Sequence, residues 1–279
     1  MATLVRHDLV ADDEIDYAEV EALCPSGDQW LCRILIRRPR EAEWSAILEG
    51  QPVHPGDALR VVCVDTRDPA ALEALNLRFS AHFYPRLAPR PWPDEQEVIE
   101  ALLPAAGASV LEVCCGAGRV TPALARDGNR VLGLDVSAAC LAAARARHPS
   151  LAWVAGDAAA LPLRDRAVDV STCFGNSLGV LFRGPGAALA ELLRVARDRV
   201  IVGFRDAPCA RRDRMHTYYT GAGEVEVART FDGDAAEALV EALPPAARTR
   251  IAHRSLHVGG PRPYGGAAFH LALHLRGAG

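Results

Sequence analysis

The sequence contains no lysine, so all 31 of its basic residues are arginines, and 35 acidic residues outnumber them. The formal net charge is −4 over 279 residues. Such a balance provides no overall positive field that would attract a polyanionic backbone. It argues against a nucleic-acid partner.

Long apolar runs are also missing, because no stretch reaches the roughly 20 residues that a membrane-spanning helix needs. The N-terminal sequence MATLVRHDLVADDEID lacks a basic segment followed by an apolar core, as a secretory signal would have. The eight cysteines include no CxxC pair, a pattern typical of free thiols in a reducing compartment. We expect a cytoplasmic protein without a membrane partner. The oligomeric state stays open, with a homodimer among the options.

Several short β-prone runs precede residue 78, separated by turns such as Pro25-Ser26-Gly27-Asp28. They lie at residues 15–20, 30–36 and 59–64. We predict a small strand-rich N-terminal unit over residues 1–78, whose role is open between a cover, an oligomer contact and a substrate gate. A connector rich in proline and aromatic residues follows, from Arg78 to Pro93.

Beyond the connector, strand-like runs alternate with helix-like segments. The runs lie at residues 109–115, 130–136, 151–156, 167–174 and 199–204. The first helix is predicted from Asp94, which forms a capping-box pattern with Glu97, to about Leu103. Ser137 is predicted to cap an alanine-rich helix that Pro149 ends. Continuous apolar strands that alternate with helices are typical of a mostly parallel sheet covered on both faces.

The C-terminal part departs from this alternation. Strand-like runs at 223–231, 249–258 and 267–276 have one helix-like interruption, at 235–243. This pattern predicts an antiparallel edge. We therefore predict an α/β fold for residues 79–279, with a Rossmann-like, mostly parallel sheet and an antiparallel C-terminal edge, in addition to the N-terminal unit.

Acidic residues and glycines mark the ends of three consecutive predicted strands. The first strand runs into Glu112-Val113-Cys114-Cys115-Gly116-Ala117-Gly118-Arg119, where glycines let the backbone bend and a ligand approach. Alone, this turn fits a dinucleotide loop or a tight turn without a ligand. Asp135 and Asp157 end the next two strands, where carboxylates can bind ribose hydroxyls or face the polar edge of an adenine. All three lie at the edge where open α/β sheets bind ligands.

The segments VLEVCCGAGR, GLDVS and GDAAALPLRDRAVDV, in this order and spacing, resemble the first three motifs of class I S-adenosylmethionine-dependent methyltransferases. The resemblance covers about residues 94–276. It implies the fold predicted above and S-adenosyl-L-methionine as the cofactor.

Each motif residue takes a role from this resemblance. The backbone at Gly116 and Gly118 would run close to the methionine part of the cofactor, and Glu112 would hold its amino group. Asp135 would bind the ribose and Asp157 the adenine. The rest of the predicted cofactor-binding set is Cys114, Val136, Ala158 and Phe174.

One departure from the family and one alternative to it bear on this turn. The family usually has glycine where this chain has Cys114, which we interpret as a small buried residue that narrows the pocket rather than as a nucleophile. A nicotinamide-dependent dehydrogenase is the nearest alternative, but its G-x-G-x-x-G pattern would need glycine at Thr121. The GDAAALP segment has no counterpart in that scheme.

Polar residues also follow the fourth and fifth strands of this region. Asn176 either caps the turn after Phe174-Gly175 or points into the crevice and orients a substrate. Arg205 is either a solvated charge or the bidentate partner of a carboxylate.

Together with Tyr218-Tyr219, the patches FGNSLG and GFRD resemble segments of glycine and glycine/sarcosine N-methyltransferases. The N-terminal unit and the shorter C-terminal part depart from those enzymes. The resemblance implies that Asn176 and Arg205 hold a carboxylate while Tyr219 orients the amine or the sulfonium. Three connector aromatics, Phe83, Tyr84 and Trp92, form either a lid that excludes water or a packed linker. Tyr84 completes the predicted catalytic set.

Four histidines lie at even spacing on two predicted C-terminal strands, so that each pair shares one face. They are His253, His257, His270 and His274. If the two strands are neighbours, the four side chains could form a metal site, but a solvated or half-buried face is the simpler interpretation. We predict no metal.

These observations predict a methyltransferase that moves the methyl group of S-adenosylmethionine to a small molecule. Transfer from a sulfonium depends on positioning and desolvation, so no dedicated acid–base pair is required. The leading acceptor is an amine nitrogen of a carboxylate-bearing compound. The alternatives are O- or S-methylation of a secondary metabolite, and a non-catalytic protein that binds S-adenosylmethionine.

Overall fold

The structure, a computed structural model, describes most of the chain as two compact units. The described residues are 4–11, 29–46, 52–65, 67–104, 106–206, 215–219, 225–261 and 267–277. One unit comprises Met1–Asn76 with Thr217–Val227, and the other comprises Leu77–His216 with Ala228–Gly279. The strand predicted at residues 15–20 lies outside the described residues.

An antiparallel sheet of four strands dominates the first unit, in the order β1-β4-β2-β3. The strands are β1 (Leu4–Val10), β2 (Gln29–Arg37), β3 (Ser45–Ala46) and β4 (Ala58–Asp65). Ile34 and Ile36 of β2 are two residues apart, so they share one face of the sheet, and both are buried. The small strand-rich unit predicted from the sequence is confirmed.

The connector predicted from Arg78 is partly wrong, because helix α1 (Pro69–Phe83) occupies its first residues. The Asp68 carboxylate accepts hydrogen bonds from the N–H groups of Ala70 and Ala71 and caps the helix. The buried Leu72 and Phe79 lie at helical spacing, seven residues apart. A 3-10 helix, Tyr84–Arg86, follows directly.

A seven-stranded sheet forms the centre of the second unit, in the order β12-β13-β9-β8-β5-β6-β7. The strands after β4 are β5 (Ser109–Val113), β6 (Arg130–Asp135), β7 (Ala152–Ala155), β8 (Val168–Cys173), β9 (Ala196–Asp206), β10 (Met215–Tyr219), β11 (Val225–Arg229), β12 (Ile251–Pro261) and β13 (Ala267–Leu275). Strands β5 to β9 are parallel, whereas β13 pairs antiparallel with both β9 and β12. The predicted parallel sheet with an antiparallel C-terminal edge is therefore confirmed.

Helices cover both faces of this sheet. They are α2 (Pro93–Leu102), α3 (Thr121–Leu124), α4 (Ala138–Arg147), α5 (Pro185–Val195), α6 (Gly233–Glu241) and α7 (Pro245–Arg248). Val110 and Leu111 are consecutive in β5 and point to opposite faces. Val110 packs in the cluster that contains Val98 and Ile99 of α2, and Leu111 packs in the cluster that contains Leu189 of α5.

The structure corrects the predicted start of α2. The helix begins at Pro93, whose fixed φ suits the first helical position, and the N-cap is Trp92 rather than Asp94. The N–H of Trp92 donates to the Glu95 carboxylate at 2.8 Å, so Glu95 takes the part predicted for Glu97. Ser137 caps α4 as predicted, with its hydroxyl oxygen accepting the N–H of Cys140.

The run predicted at 223–231 as part of the sheet edge is also placed differently. It forms β11, which pairs with β10 in a separate two-stranded sheet. In the main sheet, β5 lies between β6 and β8, so the chain winds to one side of β5 and returns to the other. The carboxyl ends of β5 and β8 therefore border the crevice where such sheets bind ligands. Within the described part of the chain, no helix combines the length and the apolar character needed to cross a bilayer.

Candidate active site

The glycine-rich turn, residues 114–119, connects β5 to α3. Three of its residues have positive φ: Cys114 (57°), Gly116 (54°) and Gly118 (76°). Cys114 thus adopts a conformation that favours glycine, at the position where the family usually has one. At Gly118 a side chain would also clash, because an added Cβ would lie 2.6 Å from the ring of Trp153. The turn is therefore shaped by its backbone and by the aromatic ring beside it.

Asp135, at the end of β6, fixes this turn. One carboxylate oxygen accepts the N–H of Gly116 at 2.8 Å, and the other accepts the N–H of Ser137 at 2.8 Å. Burial raises the pKa of Asp135, although the hydrogen bonds from Ser137 and Gly116 act in the opposite direction. A carboxylate has about four acceptor positions, and these bonds do not use all of them, so Asp135 can still accept a hydrogen bond from a ribose hydroxyl.

The residues predicted at the adenine lie next along the same edge of the sheet. Val136 follows Asp135 and is 62% exposed, which is unusual for a large apolar side chain. Asp157 is exposed, and its carboxylate accepts the N–H of Ala159 at 2.9 Å, while Ala158 is buried. An exposed apolar side chain beside two strand-end carboxylates suits a flat ring with a polar edge.

Glu112, on β5, is buried directly before the turn. Its carboxylate accepts a short hydrogen bond from the hydroxyl of Thr121. Complete burial raises the pKa of Glu112 to about 8, although the hydrogen bond from Thr121 lowers it. Glu112 therefore holds a proton at neutral pH until a positive ligand group comes close.

Two connector aromatics lie beside the turn. The Cβ of Tyr84 is 4.0 Å from the position that a Cβ on Gly116 would take. Tyr84 also makes edge-to-face contacts with Phe79 and Phe83, and the ring of Trp92 lies 5.6 Å from the guanidinium carbon of Arg119. The lid role predicted for Phe83, Tyr84 and Trp92 stays a prediction, and these contacts show how the three rings are held.

Asn176 follows β8 in a left-handed conformation and connects two other segments. Its amide oxygen accepts the N–H of Arg205 at 3.2 Å, and its amide nitrogen donates to the carbonyl of Arg229 at 2.8 Å. These bonds leave one donor and one acceptor position of the side chain for other partners.

The backbone around Asn176 is packed so closely that Gly179 tolerates no side chain. A Cβ there would lie 2.3 Å from the carbonyl oxygen of Arg229 and 2.6 Å from the amide nitrogen of Asn176. We expect Gly179→Ala to lower the free energy of unfolding by about 2 kcal/mol, as overpacking does. Denaturant titration would measure it. Gly186→Ala is the control, because a Cβ there makes only an ordinary 3.9 Å contact with Leu239. A loss no larger than that of the control would contradict the prediction.

Two predicted substrate residues, Arg205 and Tyr219, and one residue of the predicted cofactor-binding set, Phe174, are placed as follows. Arg205 is 6% exposed near the carboxyl end of β9, and its carbonyl accepts the N–H of Phe231. Tyr219 lies in β10, and its side chain is outside what the structure describes. Phe174 is buried in the cluster of α2 and contacts the ring of His270 edge to face. The structure brings Asn176 and Arg205 together, and their roles toward a substrate stay predictions.

The four histidines share one face of the β12–β13 hairpin, where His253 pairs with His274 and His257 with His270. The rings of His253 and His274 are stacked 3.9 Å apart. Burial, followed by the charge of Arg199, lowers the pKa of His274. Among the residues that the structure describes, no group of three or more His, Cys, Asp or Glu side chains is arranged to hold a metal ion.

Several residues that support the site were not predicted from the sequence. They are Glu95, Arg119, Thr121 and Trp153. Thr121 and Arg119 were visible beside the glycine motif, but their partners are 9 and 24 residues away in the chain. Only the fold brings these partners to the turn.

A solved structure with the same fold is magnesium protoporphyrin IX methyltransferase of Synechocystis PCC 6803, with bound S-adenosylhomocysteine. It has a TM-score of 0.51 and 15% identity, over 75% of this chain and all of that chain. The strand order described above is therefore a fold that this chain shares with that methyltransferase. Residues 110–199 match the family model described as a methyltransferase domain. This match lies in the region where the sequence motifs predicted a methyltransferase domain.

Two curated relatives match part of the chain. The chain is 35% identical over 125 residues to demethylmenaquinone methyltransferase of Beutenbergia cavernae, which covers 43% of this chain and 51% of the relative. It is 36% identical over 109 residues to malonyl-(acyl-carrier protein) O-methyltransferase of Pectobacterium atrosepticum. This alignment covers 39% of this chain and 42% of that relative. The chain spans about half the length of the curated relatives it matches.

Proposed function

We propose that the protein is an S-adenosylmethionine-dependent methyltransferase that acts on a small molecule. The observation that carries this proposal is the double contact of Asp135, which fixes Gly116 and Ser137 and keeps acceptor positions for a ribose. The close approach of Trp153 leaves no room for a side chain at Gly118, so this position of the turn has to be glycine. We further propose residues 79–279 as the catalytic domain and residues 1–78 as an appended unit.

The proposed roles in binding follow from charge and shape. Glu112 would pair with the amino group of the cofactor, Asp135 would bind the ribose hydroxyls, and Val136 would pack on the adenine ring. Asp157 and the backbone at Ala158 would face the polar edge of that ring. When bound, the cofactor supplies an electrophilic methyl group on a positively charged sulfur.

The proposed contribution of the protein to the transfer is orientation and exclusion of water. Residues at the ends of β8 and β9 would hold the acceptor in line with the methyl group, and Tyr84 would help to cover the site. Such positioning accounts for a large part of the rate of a bimolecular displacement. No residue is required to shuttle a proton when the acceptor is already anionic.

For the acceptor atom, we propose an oxygen of a carboxylate-bearing or otherwise acidic compound. The names of the relatives support oxygen over the amine nitrogen predicted from the local glycine N-methyltransferase resemblance, since one of them is an O-methyltransferase. The amide of Asn176, on which the amine hypothesis partly depends, already binds backbone groups of Arg205 and Arg229, which leaves it one donor and one acceptor position. Arg205 remains the candidate partner for an acidic group.

Arg205→Lys tests the acceptor part of this proposal. Lysine keeps the charge but loses the planar fork, so the KM for an acidic acceptor is expected to rise about ten-fold, with the Kd for S-adenosylhomocysteine unchanged. Steady-state kinetics and calorimetry would measure the two constants. Arg229→Lys is the control, because the Arg229 guanidinium packs on Phe182. An unchanged acceptor KM in Arg205→Lys would exclude the carboxylate contact.

The function itself is tested by binding and then by turnover. Calorimetry is expected to detect binding of S-adenosylmethionine and S-adenosylhomocysteine to the full chain. A panel of carboxylic acids, phenols, quinols, thiols and amines with tritiated cofactor would then identify the acceptor class. Label transfer to amines alone would restore the amine hypothesis. Binding without transfer to any acceptor would favour a non-catalytic cofactor-binding protein.

A further inference from the structure

A buried ion pair ends the glycine-rich turn. The guanidinium of Arg119 donates two parallel hydrogen bonds to the Glu95 carboxylate, at 2.5 Å and 2.8 Å. The Glu95 side chain has no solvent exposure, and that of Arg119 is 17% exposed. Because a buried charge is unfavourable without a partner, each side chain fixes the position of the other.

Glu95 belongs to the first turn of α2, and other contacts fix its position. Its carboxylate also accepts the N–H of Trp92 at 2.8 Å, and the ring of Trp92 lies 5.6 Å from the Arg119 guanidinium carbon. Arg119 also donates to the carbonyl of Arg90 at 3.4 Å. The start of α2 therefore determines where the glycine-rich turn ends, although 24 residues separate Glu95 from Arg119.

The ion pair restrains the turn in addition to Asp135 and the ring of Trp153. Asp135 holds the turn at Gly116, and Arg119 holds it at the opposite end. Gly116 and Gly118 adopt positive φ, a region that glycine leaves as easily as it enters. A terminal guanidinium nitrogen of Arg119 lies 3.5 Å from the position that a Cβ on Gly175 would take. The Glu95–Arg119 pair therefore also lies beside the loop after β8.

We infer that the Glu95–Arg119 ion pair is a positioning element that holds the glycine-rich turn in its cofactor-binding shape and so couples cofactor affinity to the placement of α2. This inference rests on the proposed function. The pair acts through the backbone of the turn, so its loss weakens S-adenosylmethionine and S-adenosylhomocysteine equally. It leaves the KM for the acceptor unchanged.

The test is the double variant Glu95→Gln/Arg119→Gln. Two amides can still hydrogen-bond to each other, and the amide oxygen introduced by Glu95→Gln can still accept the N–H of Trp92, but the charge and the fork are lost. We expect Kd values for both cofactor forms to rise at least about ten-fold, measured by calorimetry well below the unfolding temperature of each protein. Glu241→Gln/Arg254→Gln is the matched control, since that pair, 2.8 Å apart, joins α6 and β12. The Kd values of this control variant for both cofactor forms are expected to equal those of the parent protein.

Each outcome separates this inference from the function. If the parent protein binds neither cofactor form, the proposed function fails and the inference fails with it. If the parent binds and the double variant binds equally well, only the inference is overturned. Should the double variant not fold, Arg119→Lys provides the same comparison, because it keeps the charge for Glu95 without the fork. Its Kd is then expected to rise about three- to ten-fold, and a parental Kd would overturn the inference.

Discussion

Asp135→Ala is expected to weaken binding of S-adenosylhomocysteine by about 100-fold or more. Hydrogen bonds to a charged group contribute about 1.5–3 kcal/mol each, so losing two bonds to ribose hydroxyls removes at least about 3 kcal/mol. The N–H groups of Gly116 and Ser137 also lose their acceptor, which releases the glycine-rich turn. Calorimetry would measure the affinity, and thermal unfolding would show that the variant is folded at the temperature used.

Asp169→Ala is the control for Asp135→Ala because Asp169 is also a carboxylate that accepts a backbone N–H, that of Ser109 at 2.8 Å. Asp169 and Ser109 lie at the amino ends of β8 and β5, so the contact is at the opposite edge of the sheet. This variant is expected to lose stability and to keep its cofactor affinity. If both variants bind the cofactor equally well, Asp135 is not a ribose ligand and the proposed site is wrong.

The core of the domain could be predicted from the sequence because each of its strands can be recognised from a short, mostly apolar stretch of residues. Each strand from β5 to β9 overlaps one of the mostly apolar predicted runs, although β9 extends beyond its run at residues 199–204 at both ends. Burial on both faces leaves such runs little freedom of register or position. Ser137 could be identified as a cap from its position before an alanine-rich segment. Where the signal was weaker, as at the start of α2, the fixed φ of Pro93 moved the helix boundary.

Other elements depended on partners that the sequence does not specify. The run at 223–231 has strand character, but pairing with β10 instead of the main sheet is a tertiary choice. Helix α1 has apolar residues at helical spacing, such as Leu72 and Phe79, whereas the aromatic and proline residues that follow it are typical of a connector.

The candidate site shows the same division between local motifs and distant partners. Glycines and strand-end acids recur in a motif, so the sequence points to Gly116, Gly118 and Asp135 together. The structure shows the contact of Gly116 with Asp135, and the roles of these residues toward a cofactor stay predictions. The contact of Trp153 with Gly118 and the ion pair of Glu95 with Arg119 connect segments far apart in the chain, and no local pattern indicates them. Asn176 was singled out as a polar residue after a strand, but its partners at Arg205 and Arg229 appear only in the fold.

Glu112→Gln is expected to stabilise the free protein and to weaken the cofactor complex. Burial raises the folded-state pKa of Glu112 from 4.5 to about 8, so the folded state keeps a proton that the unfolded state releases. The stability of the parent therefore falls as pH rises from about 4.5 to about 8, and the loss is complete above about 8. Glutamine carries no charge, so the variant escapes this loss. At pH 9 its free energy of unfolding should exceed that of the parent by about a few kcal/mol, whereas at pH 5 the two should be similar.

The same substitution should remove a proton-linked step of cofactor binding. A ligand ammonium beside Glu112 favours the carboxylate, so binding near pH 7 should release a proton from the parent and none from Glu112→Gln. Calorimetry in two buffers of different ionisation enthalpy would measure the release, with an expected affinity loss of about 100-fold in the variant. Glu191→Gln provides a control of opposite sign, because a hydrogen bond from Arg194 lowers the pKa of Glu191 and its carboxylate stabilises the fold above that pKa. If Glu112→Gln lost stability at pH 9 as Glu191→Gln should, Glu112 would be a structural carboxylate and not the protonated residue that a cofactor ammonium ionises.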